Sequence, residues 1–422
     1  MTAQVSFLDG TLSLIHIPLD LYPSLLQPIL QVLLPPSQDP SQSAATTALT
    51  VKDHHIHGFL NISVTPIECS IVCNSAWAAS VFEPAIKRLP ADQAAMVAIS
   101  KDTYAALSVY GTGMDAGSRV ADLTSPLALA DIPIFFITTY YSDFILVPTK
   151  DQQAVVKTLL ARNFVFSDDD QSRLVSAHPS PTATNHRHGF DFGFNHHTRA
   201  GPSDDPPSPT HSTVSDLQQR TFDLLKKRNV TPHIEPNLTL VQCSGIRGAT
   251  TPSTTHTSNN TRRGSSSSSS QRTSWINTID TKLYTSLVTA LASHPRFLSL
   301  TLAHDDPPSL LLDRSLLFLF GDSLVGPLDE RDSSSVLVPI FLDLADLPFE
   351  ATGIVSGVAG RLVREMRKGG VAEGGELSYL STARAGAVIL GREQAGVALG
   401  VLRPLLAREE GEGEVEGGDV GV

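Results

Sequence analysis

The chain has 422 residues, with 31 Lys and Arg against 43 Asp and Glu, so its formal net charge is −12. This acidic balance disfavours nucleic acid and anionic membrane surfaces as main partners. The three cysteines cannot complete a disulfide framework, and we predict buried thiols in a reducing, cytoplasmic compartment. No apolar run approaches the roughly 20 residues that cross a bilayer, so the sequence predicts no membrane segment.

The first 166 residues predict the element order β-α-β-β-α twice. Apolar residues at helical spacing alternate with runs of β-branched and aromatic residues, and Asn74 or Ser75 is the expected N-cap of the second helix. This order predicts an α+β fold, in which a four-stranded antiparallel sheet carries two helices on one face, the ferredoxin-like arrangement. The predicted strands lie at 12–18, 59–65, 68–73, 96–100, 104–110, 132–139 and 144–147, and the predicted helices at 20–34, 74–89, 117–131 and 150–162.

The second half predicts β-α-β-β and then β-α-β-β-α. Four modules in two pairs are the simplest account of the whole chain, with boundaries at 1–90, 91–166, 233–335 and 336–408. The predicted strands lie at 237–242, 297–302, 315–320, 336–342, 377–381 and 387–390, and the predicted helices at 280–293, 349–366 and 394–406.

Three polar stretches interrupt or follow the modules. Residues 167–232 are rich in Ser, Pro, Asp and His and predict a disordered linker, although 216–228 could form a short helix. Residues 248–274 form a low-complexity insert, and 409–422 form an acidic tail. The histidines of the linker lack the Cys or paired carboxylates of a metal site, so we predict that no metal binds there.

Two stretches carry a family resemblance. The sequence SPLA at 125–128 followed by TTYYSDFILV at 138–147, with weaker matches at Gly353–Val355, Ala359–Gly360 and Leu380–Thr382, resembles the ACT-domain proteins of the CASTOR family. Those proteins are cytosolic arginine sensors upstream of the target-of-rapamycin complex. The resemblance implies four tandem ACT modules of βαββαβ type and a non-enzymatic amino-acid sensor without a cofactor.

The ligand site that this resemblance implies lies between the second and fourth modules. A free amino acid carries a carboxylate, which suits a helix N-terminus because unpaired N–H groups and the helix dipole favour an anion. Glycine there lets the backbone approach closely. The implied ligand-binding residues are Asp122, Leu123, Phe349, Glu350, Thr352, Gly353, Ile354, Thr382 and Arg384.

The same positions depart from the arginine sensors. The family's ligand-facing Glu falls on Ala351, and the run whose carboxylate pairs with a guanidinium becomes Thr382–Gly386, which contains the cation Arg384 instead. A buried Arg beside bound arginine would be a like-charge conflict. We therefore expect a neutral or acidic amino acid as the ligand, with Thr382 or Arg384 contributing.

The resemblance also implies a partner surface. The family's contacts with the GATOR regulatory complex fall on Tyr140, Tyr141 and Asp143, although Tyr141 replaces a Gln. An alternative is that Asp143 only shapes a turn. A homodimer is a further assembly that the sequence leaves open.

Other functions remain as alternatives. The chain could be an ACT regulatory protein of amino-acid metabolism, or a scaffold that kept the fold without a ligand. A hydrolase is disfavoured: the block Phe320–Leu324 imitates a GDSL motif, but the last histidine, His304, precedes it, so the expected base is missing.

Overall fold

The computed structural model describes residues 3–34, 58–110, 118–166, 211–246, 281–303, 306–329, 335–348, 351–368 and 376–407. The predicted insert at 248–274 and the predicted tail at 409–422 lie outside these ranges, as do Phe349 and Glu350. No helix within the described ranges has the length and apolar character to cross a membrane.

The described residues form sixteen strands and seven helices of nine or more residues. The strands are β1 (Gln4–Phe7), β2 (Leu12–Ile17), β3 (Phe59–Val64), β4 (Cys69–Asn74), β5 (Ala98–Ile99), β6 (Tyr104–Tyr110), β7 (Phe135–Thr138), β8 (Asp143–Pro148), β9 (Val165–Phe166), β10 (Leu240–Gly245), β11 (Leu298–Ala303), β12 (Ser309–Asp313), β13 (Leu324–Val325), β14 (Leu337–Asp343), β15 (Ser378–Ser381) and β16 (Ala385–Gly391). The helices are α1 (Tyr22–Leu33), α2 (Arg119–Leu129), α3 (Gln152–Leu160), α4 (His211–Lys227), α5 (Thr281–Ala292), α6 (Ile354–Lys368) and α7 (Arg392–Leu406).

Shorter helical segments complete the inventory of the described ranges. Asn74 caps the first of them, because its side-chain oxygen accepts a hydrogen bond from the Ala76 N–H at 2.9 Å, and the predicted cap is thus confirmed. The segments are Leu19–Leu21, Ser75–Trp77, Ala78–Phe82, Glu83–Ile86, Ala91–Ala94, Thr149–Asp151 and Arg314–Leu319.

The strands group into four units with related topology. Unit 1 (12–99) has the strand order β5-β2-β4-β3, and unit 3 (240–325) has β13-β10-β12-β11. Both place the first strand between the third and the fourth, as in a ferredoxin-like sheet. Unit 2 (104–166) follows the same order, except that β1 lies between β6 and β9. Unit 4 (337–406) has β14-β16-β15 and, within the described residues, no fourth strand. The α+β class is confirmed.

Strand pairing does not follow the predicted boundary at residue 90. β5 lies beyond that boundary, yet it pairs with β2 and completes unit 1. β1 lies in the first predicted module, yet it pairs with β6 and belongs to the sheet of unit 2. The N-terminal segment therefore crosses from one unit to the next.

The four units share one continuous sheet. β3 and β11 join units 1 and 3 over six residue pairs, and β7 meets β15 at Ile137 and Leu380, joining units 2 and 4. Single pairs between β10 and β14 and between β2 and β6 link these two halves. Twelve of the sixteen strands thereby form a closed circuit, which the predicted four-stranded sheets did not include.

Three apolar cores follow from this closure. Side chains on one face of the strands pack under helices, forming one core with the helices of units 1 and 3 and another with those of units 2 and 4. Side chains on the other face meet between the two halves of the sheet, where the rings of Phe59 and Phe144 lie 5.0 Å apart. Burying such a side chain contributes about 1.5–3 kcal/mol.

Two sequence predictions are corrected by the structure. The predicted strand at 315–320 is wrong, because Arg314–Leu319 forms a 3₁₀-helix in which the Asp313 carboxylate accepts a hydrogen bond from the Ser315 N–H at 3.1 Å. The linker predicted at 167–232 extends too far, because helix α4 occupies 211–227, where the sequence allowed a short helix at 216–228, and its Leu217, Phe222 and Leu225 are buried. Their helical spacing gives α4 one apolar face, which packs on α6. Residues 167–210 of this linker lie outside the described ranges.

Candidate functional site

A pocket lies between units 2 and 4, and we call it the α6 pocket. Its wall contains the start of α6, the turn between β15 and β16, the segment after β14, and residues of α2 and β7 from unit 2. Its volume is about 60 Å³. The lining residues are Thr124, Ala128, Ile134, Phe135, Leu344, Leu347, Pro348, Ala351, Gly353, Ile354, Val355, Ser356, Tyr379, Ser381, Thr382, Ala383, Arg384 and Ala385.

The N-terminus of α6 forms one side of this pocket. Gly353 has a φ of +81°, a conformation that favours glycine, and a Cβ there would stand 3.0 Å from Leu217 of α4. The helix begins at the next residue, Ile354, so its first N–H groups have no partner within the helix. Together with the helix dipole, these groups favour an anion such as a carboxylate.

Tyr379 of β15 contributes a buried hydroxyl. The side chain is 1% exposed, and within the described ranges the hydroxyl has no hydrogen-bond partner. Burial raises the pKa of Tyr379 above its ordinary value, so the group remains a neutral donor. It stands against Gly386, where an added Cβ would lie 2.4 Å from the hydroxyl oxygen. A buried hydroxyl in a pocket wall would gain from an acceptor on a ligand.

The turn between β15 and β16 is held by a carboxylate from unit 1. Glu68 is fully buried, and its Oε1 accepts hydrogen bonds from the Thr382 hydroxyl at 2.6 Å and the Arg384 N–H at 2.5 Å. Its Oε2 lies 2.5 Å from Nδ1 of His16. The Arg384 guanidinium in turn donates to the Ala345 carbonyl at 3.0 Å. One wall of the α6 pocket is thus attached to a distant unit.

Four of the predicted ligand residues come together in this pocket. Gly353, Ile354, Thr382 and Arg384 all line it. Thr352 lies in the adjoining loop between two lining residues without lining the pocket itself.

The predicted α2 residues do not reach the pocket. Asp122 is exposed, and its carboxylate accepts a hydrogen bond from the Ser118 hydroxyl at 2.7 Å. Leu123 is buried in the core beneath the helices. Thr124 lines the pocket instead, because it occupies the next position around the helix.

The predicted partner residues divide into two kinds. Tyr140 and Tyr141 are 37% and 48% exposed, with their rings edge to face 4.9 Å apart. Asp143 is only 2% exposed, and its Oδ2 lies 2.5 Å from Nε of Arg119, so it is not available for direct contact with a partner. The expectation for Asp143 is corrected accordingly. Burial raises the pKa of Asp143 to about 6, although the Arg119 guanidinium opposes this shift.

Asp143 does not shape the turn either. Thr139 closes that turn, since its N–H donates to the Ser142 carbonyl at 3.0 Å and its hydroxyl accepts from the Ser142 N–H at 3.2 Å. Asp143 follows as the first residue of β8.

The three cysteines are buried, free thiols, as predicted. Burial raises the pKa of Cys73 and of Cys243 to about 12, which keeps both protonated and unreactive. Across the described ranges, no group of three or more His, Cys, Asp or Glu side chains is arranged to hold a metal ion.

A family model described as ACT domain matches residues 99–161. The chain contains an ACT domain. The match covers β6, α2, β7, β8 and α3, which make up most of unit 2. The ACT domain therefore supplies one side of the α6 pocket, and ACT domains are ligand-binding regulatory modules. No curated protein matches the sequence.

Two solved structures are similar over different parts of the chain. Protein Atu0741 from Agobacterium tumefaciens is 18% identical, with a TM-score of 0.25, over 40% of this chain and 93% of that one. Aspartate kinase from Synechocystis is 10% identical, with a TM-score of 0.30, over 97% of this chain and 57% of the kinase. At these TM-scores, neither structure informs the geometry of the pocket.

Proposed function

We propose that this protein is a non-catalytic regulator that binds a free amino acid in the α6 pocket, and that all four units are ACT modules. The observation that carries the proposal is the meeting of the α6 N-terminus with the unpartnered hydroxyl of Tyr379. The helix N-terminus suits the carboxylate of an amino acid, and the hydroxyl can donate to the same group. The ACT domain on the other side of the pocket supports a regulatory role.

The size and charge of the pocket limit the ligand. A volume of about 60 Å³ is space for roughly four to six water-sized groups, since one water needs about 10–15 Å³. The five main-chain heavy atoms of an amino acid occupy that space, so we propose a small side chain. The guanidinium of Arg384 adds positive charge, which favours a neutral or acidic amino acid over arginine.

The response would reach a protein partner through the attachment to unit 1. A ligand that contacts the 382–385 turn acts on the same residues that Glu68 holds, so occupancy of the pocket would change the packing of unit 1. The resemblance to the CASTOR family supports a cytoplasmic partner of GATOR type in TOR signalling. Tyr140 and Tyr141 offer an exposed aromatic pair for that contact.

A regulator of amino-acid metabolism is the second candidate. The ACT-domain match favours it equally, because the match specifies a ligand-binding module without specifying the partner. Affinity purification with Tyr140→Ala and Tyr141→Ala separates the two. Loss of a signalling complex from both variants supports the sensor, whereas enrichment of a metabolic enzyme supports the alternative.

A thermal-shift screen against the free amino acids tests the ligand step. We expect a small neutral or acidic amino acid to raise the melting temperature. Tyr379→Phe removes only the hydroxyl, and we expect it to weaken binding about tenfold, because a hydrogen bond to a charged acceptor contributes about 1.5–3 kcal/mol. The variant should fold at least as well as the parent, because no buried donor is left unpaired. A screen in which no amino acid stabilises the protein would support a ligand-free scaffold.

A further inference from the structure

A second, larger cavity lies on the other side of the ACT domain. Its volume is about 370 Å³, within the range of small-molecule sites. Its walls come from β6, α2 and the β7–β8 turn of unit 2, together with the start of β15 and residues of unit 3. We call it the Asp143 cavity, after the buried carboxylate in its wall.

The two cavities are related by a local two-fold axis. The axis passes between Ile137 and Leu380, the residue pair that joins β7 to β15. Two reciprocal hydrogen bonds flank this pair: the Phe136 N–H donates to the Ser381 hydroxyl at 2.9 Å, and the Tyr379 N–H donates to the Thr138 hydroxyl at 3.0 Å. The axis exchanges the β7–β8 turn with the β15–β16 turn, so the turn at 139–142 in the wall of the Asp143 cavity corresponds to the turn at 382–385 in the wall of the α6 pocket.

The axis also exchanges Asp143 with Gly386. Both residues follow the closing turn by one position, in the runs Thr139–Asp143 and Thr382–Gly386. Where the α6 pocket has a bare backbone beneath the Tyr379 hydroxyl, the second cavity has a buried carboxylate. The wall of the second cavity therefore carries a negative charge at a position where the α6 pocket carries none.

The charge of the Asp143 cavity is negative in total. Its described lining residues include two carboxylates, Asp143 and Glu376, and one cation, Arg119. Arg119 is already engaged with both acids, at 2.5 Å from Asp143 and 3.2 Å from Glu376. The Thr138 hydroxyl and Arg119 both donate to the Asp143 carboxylate, and within the described ranges its Oδ1 has no donor in hydrogen-bond geometry. A buried carboxylate oxygen without a donor is costly, and a ligand that donates to it would remove that cost.

We propose that the Asp143 cavity binds a small organic cation with a primary ammonium group. The ammonium donates to Oδ1 of Asp143, the carboxylate oxygen that Arg119 does not engage, and offsets the excess negative charge of the wall. The rings of Tyr140 and Tyr141 line the same cavity and add attraction for a cation. A ligand carboxylate is disfavoured, because Arg119, the cation of this wall, already pairs with two acids.

Titration calorimetry of the full-length protein with putrescine tests the charge requirement. Butane-1,4-diol is the matched neutral probe, with the same chain length. We expect putrescine to bind with one site per chain, and the diol to bind at least tenfold more weakly. Lysine is the third probe and separates a simple amine from a free amino acid, so we expect it to bind more weakly than putrescine.

Two variants assign the binding to this cavity. Asp143→Asn keeps the shape of the side chain and removes the charge, and we expect it to weaken putrescine binding at least tenfold. Asp102→Asn is the matched control, because Asp102 is an acid of the same ACT domain that pairs with Lys150 outside the cavity lining. We expect it to leave the affinity unchanged. Circular dichroism of both variants verifies folding.

Three results would overturn the proposal. Equal binding of the diol and putrescine would show that charge is not recognised. Equal losses in Asp143→Asn and Asp102→Asn would assign the binding to the net negative charge of the whole chain. Tighter binding of lysine than of putrescine would show that the cavity recognises a free amino acid and not a simple amine.

Discussion

At the scale of single residues, burial decides which groups can do chemistry. Asp143 and Tyr379 are both almost fully buried, and within the described ranges each keeps a polar atom without a partner. They occupy the walls of the two related cavities. Asp143 offers a negative charge and Tyr379 offers a neutral hydrogen-bond donor, so the two cavities favour ligands of different charge.

The raised pKa of Asp143 predicts how stability depends on pH. The pKa rises from 3.8 to about 6 on folding, so the native state holds this proton more tightly than the unfolded state does. The stabilisation is therefore fully present below about pH 4 and is lost as the pH rises through about 6, a change of about 3 kcal/mol. Asp143→Asn should remove this dependence and be more stable than the parent at pH 7.5. Urea denaturation at pH 4.5, 6 and 7.5 measures the free energy of unfolding of the parent and of the variant. If this free energy rose from pH 4.5 to pH 7.5 as steeply in the parent as in the variant, the assignment to Asp143 would be contradicted.

The same group predicts a pH dependence for cation binding. An ammonium ligand needs the carboxylate form, so the affinity for putrescine should rise between pH 5 and pH 7.5, with most of the change near pH 6. Among the residues that the structure describes, the charged groups that face Asp143 are Arg119 and Glu376. Calorimetry at four pH values measures this change, and Glu376→Gln should move the midpoint to lower pH, because the Glu376 carboxylate helps to raise the pKa of Asp143. A flat profile would contradict the role of Asp143.

At the scale of elements, close contact between α4 and α6 depends on glycine. An added Cβ at Gly357 of α6 would lie 2.7 Å from Thr221 of α4, whereas at Gly396 of α7 it would meet nothing within 4 Å. Thr221 also donates to the carbonyl of Gly353 at 3.3 Å, which places α4 directly against the start of α6. Helix α4 is therefore part of the support of the candidate ligand site.

Two matched glycine substitutions test this contact. Gly357→Ala should destabilise the protein by about 1–3 kcal/mol through overpacking. Gly396→Ala should be neutral or stabilise it by up to about 1 kcal/mol, because alanine is the better helix former. Urea denaturation measures both values. Equal effects from the two substitutions would show that α4 moves to accommodate the added methyl group, and that its contact with α6 does not require glycine.

Local sequence patterns predicted the positions of strands and helices better than they predicted which strands pair with each other. Runs that combine aromatic and β-branched residues, such as 59–64 and 143–148, specify strands, because these side chains fit a pleated surface. The Leu-rich run 315–320 was wrongly predicted as a strand, although its apolar and polar residues do not alternate. The signal that was missed is Asp313, which caps the 3₁₀-helix two residues before the run. β1 was missed because its partner strand, β6, lies about a hundred residues away.

The candidate site was predicted only in part for a related reason. Gly353 and Thr382 could be placed by a helix start and a strand end, which are local features. The role of Tyr379 depends on Gly386 and on burial, which only the paired strands create. One signal was available: a Thr stands at the strand end as Thr65, Thr139 and Thr382, and in each case its side chain fixes the turn.

At the scale of the whole molecule, the hairpin turns connect units that are distant in sequence. Glu68 of unit 1 holds the β15–β16 turn of unit 4. In the other half, the Tyr140 N–H donates to the Ser309 hydroxyl at 2.8 Å, and the Ser142 hydroxyl donates to Asp306 at 2.6 Å, so unit 2 contacts unit 3. Each candidate cavity therefore has a turn in its wall that another unit restrains.

Removing Glu68 should loosen the α6 pocket from a distance. Glu68→Ala leaves the Arg384 N–H without its acceptor, which costs about 1–3 kcal/mol, whereas the Thr382 hydroxyl keeps the Ala385 carbonyl as an acceptor at 3.2 Å. We expect a loss of stability of at least about 1–3 kcal/mol and faster amide exchange of the Arg384 N–H. Glu68→Gln keeps an oxygen for both donors and should lose much less. Hydrogen exchange measured by mass spectrometry distinguishes them, and unchanged exchange at the turn in Glu68→Ala would contradict the attachment.

The central claim is that the α6 pocket holds a small amino acid by its carboxylate. Titration calorimetry of the full-length protein with alanine, aspartate and arginine at pH 7.5, repeated on Tyr379→Phe, tests it most directly. We predict saturable binding of alanine or aspartate that Tyr379→Phe weakens about tenfold, with arginine binding at least tenfold more weakly than the preferred ligand. Tight binding of arginine, or binding that Tyr379→Phe leaves unchanged, would contradict it.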